Sequence, residues 1–262
     1  MTEIQEARDT PLSVGEQAAG ELNAQSVSLW LALVFGAALL VGFLLFPGFF
    51  PPMSPRMSAP QVAAFYAHHQ TMIRTSMIIF NLCSVMLVPF FMVIVYQMKR
   101  MATPTQVLAY CYLSAAATGA TLFALSDLFF LIAAFRPERD PQLILLLNDL
   151  AWITFAAPVG MIVAQNVCLS LAVYLDARPE PIFPRWVGHF SLAVAVAIVP
   201  SAGAAVFTTG PLAWNGFVSF WLRICAYGAF LVVMFFVLRR AIRLEALEEA
   251  DARRRRPEKV RQ

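Results

Sequence analysis

The chain has 262 residues, of which 60% are hydrophobic and 13% charged, with a formal net charge of +3. Soluble domains carry about 45–50% apolar and about 25% charged residues, so this chain has half the charge needed to coat a water-facing surface. That excludes a soluble enzyme, a disordered chain and a nucleic-acid binder, and a mean hydropathy of +0.68 makes the lipid bilayer the outer solvent.

A spanning helix takes roughly 20 mostly apolar residues. In chain order such runs fall at 28–50, 71–96, 107–135, 143–175, 190–208 and 213–238. They predict an all-α polytopic membrane protein, a bundle of about six transmembrane helices. Residues 1–25 form a polar segment, 26–240 the transmembrane domain and 241–262 a charged tail. The first run has no basic segment before it and no small-residue cleavage site, so it reads as a retained helix and not a cleaved signal. Pro47, Pro51, Pro52, Pro55 and Pro60 forbid helix through the loop that follows. Ser58 with Gln61 then makes a capping-box pattern opening a short helix over 59–70, with Val62, Phe65, Tyr66 and His69 on one stripe. Pro158 and Gly160 fall halfway along the fourth run, which is too long for a straight crossing, and predict a kink; Pro200 does the same in the fifth. Trp186 and His189, after Pro179, Pro181 and Pro184, read as an interfacial anchor. Spans 1 to 3 do not mirror spans 4 to 6, so no inverted repeat is expected.

An even number of spans puts both termini on one side. Arg8, Lys99, Arg100, Arg178, Arg185 and the Lys/Arg residues of the tail fall there, against Arg56, Arg74, Arg136 and Arg139 opposite. The positive-inside rule then places both termini in the cytoplasm and the protein in a cell inner membrane. The Arg253–Arg256 run, after Glu245, Glu248, Glu249 and Asp251, reads as a solvated extension of span 6 lying against anionic lipid, with a partner protein as its other possible contact.

The informative residues are those a bilayer should exclude: Asn81, Asp127, Asn148, Asp149, Gln165, Asn166 and Arg223. An ionisable group at mid-helix costs at least ~2.5–3.5 kcal/mol on insertion, so each must face the bundle interior. Asp127 and Asp149 each lie roughly 12–14 Å below the outer loop joining their spans, and Arg223 and Asn81 fall at a similar depth. Asp127, Asp149, Arg223, Asn81 and Asn148 are therefore the candidate substrate or proton site. Asp127 shares a face with Ala116, Ala120 and Ala124; Asn148 shares one with Trp152, Phe155, Val159, Ile162 and Asn166. Two readings stand side by side. An aspartate paired with Arg223 would be an ion pair locking the bundle. Alternatively, two carboxylates against one guanidinium leave a surplus carboxylate, a proton site or a cation contact. Arg74, bending down from the outer rim, would cancel that surplus.

No cofactor is expected. Three histidines are too few for a di-iron membrane oxygenase; His68 and His69 lie across the membrane from His189, so no haem can be bridged. There is no intramembrane lysine for retinal, and no phosphate-binding motif. A metal site is likewise not expected, although Met53, Met57, His68 and His69 on the outer side are a soft ligand set of the kind that suits Cu(I). The four cysteines fall in apolar runs without metal or redox spacing and read as small packing residues.

The segments FRPERDPQLILLLNDLAWITF at 135–155 and FPRWVGHF at 183–190 resemble an uncharacterised group of six-span bacterial inner-membrane proteins. The resemblance implies the six-span architecture and carries no activity. The function expected from the residues is binding or moving a small, largely apolar molecule, with proton coupling open. The rivals are a structural or assembly subunit anchoring a partner enzyme, and a membrane-embedded enzyme using the Asp pair.

Overall fold

A computed structural model describes residues 14–259; Arg8 and Arg261 lie outside the described residues, as do the side chains of Arg253, Arg255 and Arg256. The described chain is all helical and contains no strand. Helix α1 runs Val14–Leu45, α2 Ala59–His68, α3 Gln70–Val85, α4 Val88–Lys99, α5 Val107–Phe135, α6 Pro141–Ala156, α7 Gly160–Leu175, α8 Arg185–Ile198 and α9 Arg223–Lys259. A 3₁₀ turn, Val199–Ala205, closes α8, and a π-helical turn, Phe217–Leu222, opens α9. Six of the resulting rods are long and apolar enough to cross a membrane.

Proline sets the breaks. Pro158 has no N–H to give back along the helix, so the fourth span divides into α6 and α7; Pro200 turns the end of the fifth into the 3₁₀ segment. Pro89 divides the second span into α3 and α4 in the same way, a break the apolar run conceals. The helix after the Pro-rich loop starts where expected: the Ser58 N–H donates to Gln61 Oε1 at 2.8 Å. At α6, Asp140 accepts the Gln142 N–H at 2.8 Å, with Pro141 at the first position.

Consecutive spans are neighbours, and α9 returns to α1, closing a ring. Contacts are close where side chains are small. The Ser76 hydroxyl donates to the Gly42 carbonyl at 2.6 Å between α3 and α1, and the Ser126 hydroxyl to the Ala151 carbonyl at 2.8 Å between α5 and α6. Large apolar side chains, among them Val34, Leu40, Leu82, Val196 and Phe236, are exposed around the ring and face lipid.

Two cores fill the ring. One lies toward the end bearing the termini, around Ile94, Tyr112, Leu169, Phe230 and Met234. The other lies toward the opposite end, around Phe49, Phe80, Phe130, Trp152 and Phe155. The Pro-rich loop is not a surface loop. Helix α1 stops at Leu45, and residues 46–53 turn inward, burying Phe46, Phe49 and Met53. Turns from Phe49 N–H to the Phe46 carbonyl (3.1 Å) and Met53 N–H to the Gly48 carbonyl (2.9 Å) hold this plug. A Cβ at Gly48 would lie 2.8 Å from the Phe46 ring, so the plug has room for glycine alone.

Candidate functional site

The plug residue Phe49 is 1% exposed and is ringed by aromatics from α3, α6, the π-helical turn and the plug itself, with Phe43 of α1 and Phe130 of α5 completing the circle. Its centroid lies 4.4 Å from Phe46, 5.5 Å from Phe155, 5.6 Å from Trp152, 5.9 Å from Phe80 and 6.0 Å from Phe220. Trp214, from the loop before α9, stacks on Trp152 and donates its indole N–H to the Met53 carbonyl at 2.8 Å. The far end of the bundle is thus sealed by an aromatic stopper.

Asp127 enters this region from α5. Its helical neighbours on the same face, Phe123 one turn below and Phe130 one turn above, belong to the same ring cluster: Phe123 meets Phe80 and Phe155, while Phe130 meets Phe46 and Trp152. Asp127 is 2% exposed and its Oδ2 has no hydrogen-bond partner. Arg223, 9% exposed, enters from α9 and lays its guanidinium over the Phe155 ring at 4.9 Å; its Nε is unpartnered. Trp152 Nε1 is a third such atom here; among the described residues Gln106, Tyr112, Gln165, Asn166, Ser191 and Ser201 also leave a buried polar atom without a partner. An acceptor and two donors therefore border one apolar shell without satisfying one another.

The sequence-derived candidates separate into two groups. The Ser126–Ala151 hydrogen bond fixes the register of α5 against α6, and it puts Asp127 and Asp149 within a few ångströms of one height. They do not meet. Asp149 is half-buried and follows Asn148, whose Oδ1 accepts the Tyr66 hydroxyl of α2 at 3.1 Å. The Tyr66–Asn148 bond and Asp149 thus lie together toward the far end. Among the described residues no ion pair joins Arg223 to Asp127 or Asp149. Arg74 does not supply the missing charge either: its guanidinium donates to the carbonyls of Ala134 (3.2 Å) and Phe135 (2.8 Å), closing the C-terminus of α5. Asn81, half-buried on α3, adjoins Phe80 of the aromatic shell. Of the soft-ligand candidates, Met53 is buried in the plug, Met57 half-buried, His68 exposed and His69 half-buried. Among the described residues no group of three His, Cys, Asp or Glu is placed to share a metal.

Sequence reasoning missed a second polar assembly at the end bearing the termini. Glu245 of α9 is 4% exposed and accepts from Gln25 Nε2 (3.1 Å), Gln97 Nε2 (2.9 Å) and Arg100 (3.1 Å). Arg100 also pairs with Glu248, which pairs with Arg178. Asp176 closes the neighbouring loops by accepting the Ala102, Arg178 and Ile182 N–H groups. The signal was present: Leu238, Ala241 and Glu245 recur at helical spacing, so Glu245 continues the buried face of α9, with the exposed Glu248 one turn further on.

No protein-family model, curated protein or solved structure matches the chain.

Proposed function

We propose that this integral membrane protein sits in a cell inner membrane with both termini cytoplasmic and binds, and moves, a small, largely apolar molecule in the half of the bundle away from its termini. The observation that carries this reading is the trio of orphaned polar atoms, Asp127 Oδ2, Arg223 Nε and Trp152 Nε1, on the border of one aromatic shell. Buried polar groups are normally paired, and a structural trio would satisfy itself. An apolar body with a polar or cationic handle would fill the shell and meet these atoms. In this proposal Phe49 and the plug move aside to admit it, Asp127 is the contact for the handle or for a proton, and Asp149, Asn148 and Tyr66 line the route outward. Arg223 brings a positive charge to the interior, and Asn81 offers a neutral amide from α3.

Tetraphenylphosphonium, a largely apolar cation, is a suitable probe. The purified chain should show a saturable rise in melting temperature with it, and Asp127→Asn should weaken the probe at least tenfold while its unliganded melting temperature stays within a few degrees of wild type. An equal response in the variant would overturn the reading. Loss of assembled protein in both Asp127→Asn and Asp127→Glu would assign the carboxyl to holding the bundle.

A second reading has one observation in its favour. Helix α9 has 37 residues, about 55 Å at 1.5 Å per residue, against a hydrocarbon core of about 30 Å. It therefore projects well beyond the Glu245 layer, and a partner protein docked there would make the chain an anchor. Removing residues 249–262 would then abolish activity and leave the bundle stable. An enzyme using an Asp pair has less support, since Asp127 and Asp149 do not share a partner.

A further inference from the structure

The arginines at the end bearing the termini fall into two classes by their surroundings. The Glu245 layer marks where the chain meets water at the end bearing the termini, because Gln25, Gln97 and Arg100 converge there from two other spans. Arg239, Arg240 and Arg243 lie within the two turns of α9 on the membrane side of that layer; Arg239 is six residues from Glu245, roughly 9 Å nearer the bilayer centre. All three are exposed, and none is in an ion pair among the described residues, whereas Arg100 and Arg178 are held by Glu245 and Glu248. Together with Phe236 they line a cleft of about 320 Å³ that contains no carboxylate.

The depth of this cleft is fixed independently. Arg239 places its guanidinium 5.9 Å from the ring centre of Trp30 on α1, and Trp30 is half exposed, as an indole at the headgroup level is. The cation–π contact holds one arginine in place and leaves its donors facing outward. Below the arginines, Phe236 and Val232 continue the same outer surface as exposed apolar side chains at the depth of acyl chains. Arg243 is an i,i+4 neighbour of Arg239 and an i,i+3 neighbour of Arg240, with Cβ atoms about 5–6 Å apart, so the three side chains that line the cleft can engage two phosphates at once, each fork matching phosphate oxygens in pairs.

We infer that Arg239, Arg240 and Arg243 form a specific site for an anionic phospholipid whose headgroup carries two phosphates, its acyl chains lying on Phe236 and Val232. The site is distinct from the region around Asp127 and stands whatever the bundle binds there.

The test uses the full chain, purified in a neutral detergent and titrated with cardiolipin, phosphatidylglycerol, phosphatidylcholine or inorganic phosphate, with native mass spectrometry counting retained lipid. Wild type should retain one cardiolipin in preference to phosphatidylglycerol, by at least tenfold in apparent affinity, and should melt at a higher temperature with it. The double variant Arg240→Gln/Arg243→Gln, which spares the contact with Trp30, should lose that preference. Arg56→Gln/Arg136→Gln, which removes the same charge from the opposite end, should keep it. Equal loss in both double variants would reduce the effect to net charge and overturn the site. Displacement of the lipid by inorganic phosphate at millimolar concentration, or equal binding of phosphatidylglycerol, would overturn the assignment to a two-phosphate lipid.

Discussion

Trp214 donates its indole N–H to the main-chain carbonyl of Met53 at 2.8 Å, so a loop far along the chain holds down the plug made by residues 46–53. Phenylalanine at 214 would keep the stacking on Trp152 and remove only that bond. An unpaired buried carbonyl costs about 1–3 kcal/mol. Trp214→Phe should therefore lower the free energy of unfolding in detergent by that amount, and the unfolding midpoint with it. It should also speed labelling of a cysteine placed at Met53 by a membrane-impermeant maleimide. Unchanged labelling would show that aromatic packing alone keeps the plug shut.

Arg223 should behave in the opposite sense. Its guanidinium is buried with a ring for company and no carboxylate. Desolvating a charge costs several kcal/mol, and a desolvated cation–π contact returns about 2 kcal/mol or somewhat more. Arg223→Met, similar in volume, should leave the bundle as stable as wild type or more so, while strengthening the response to tetraphenylphosphonium, because it takes a positive charge away from the shell proposed to receive that cation. A marked loss of stability would mean that the arginine is held by a group within the bundle and is structural.

Tyr66 supplies a pH signature outside the spans. Burial, and secondarily the nearby Asp149 carboxylate, pushes its phenol well above the ordinary 10.0. The folded chain therefore keeps this proton after the unfolded chain has lost it. The associated stability is complete below about pH 10 and declines as pH rises beyond it. In a spectroscopic titration the difference between wild type and Tyr66→Phe should show no tyrosinate for this residue until the protein unfolds. Asp149→Asn should bring its titration down part of the way, since desolvation is the larger cause.

The number of spans and their order could be read from the apolar runs, because lipid imposes a length and a hydropathy that few other environments share. The breaks at Pro158 and Pro200 could be read for the same kind of reason: a missing N–H acts locally. What could not be read is direction. Residues 46–53 combine proline with aromatics, a composition equally suited to an exposed loop and to a plug, and only the packing of Phe80, Phe130, Trp152 and Phe220 around Phe49 decides between them. Residue counting sets Asp127 and Asp149 near one depth but not their azimuth: one is buried and the other half-buried. Glu245 was obscured by the acidic and basic residues beside it, which resemble any solvated helix until Gln25 and Gln97 are seen to face it.

The last prediction separates space from backbone conformation in the loop that carries Trp214. Gly216 has φ −73° and ψ 159°, which any residue adopts. Yet a Cβ there would lie 2.3 Å from the Pro211 carbonyl oxygen and 2.6 Å from that of Gly210. Both obstacles are main chain, and the Pro211 oxygen is further tied down by the Val218 N–H at 3.1 Å, so neither can swing away as a side chain would. Gly210 is the converse case: its φ is +80°, but nothing lies within 4 Å of the position a Cβ would take. Gly210→Ala should thus cost roughly 1–2 kcal/mol of local strain and leave Trp214 in place. Gly216→Ala must move residues 210–216 as a unit, lifting Trp214 from Met53 and from Trp152. It should reproduce the fast maleimide labelling of Trp214→Phe with a larger drop in the unfolding midpoint, although no aromatic has been changed. If the two glycine variants label alike, the plug is held by the ring cluster around Phe49 and the Trp214 loop only covers it.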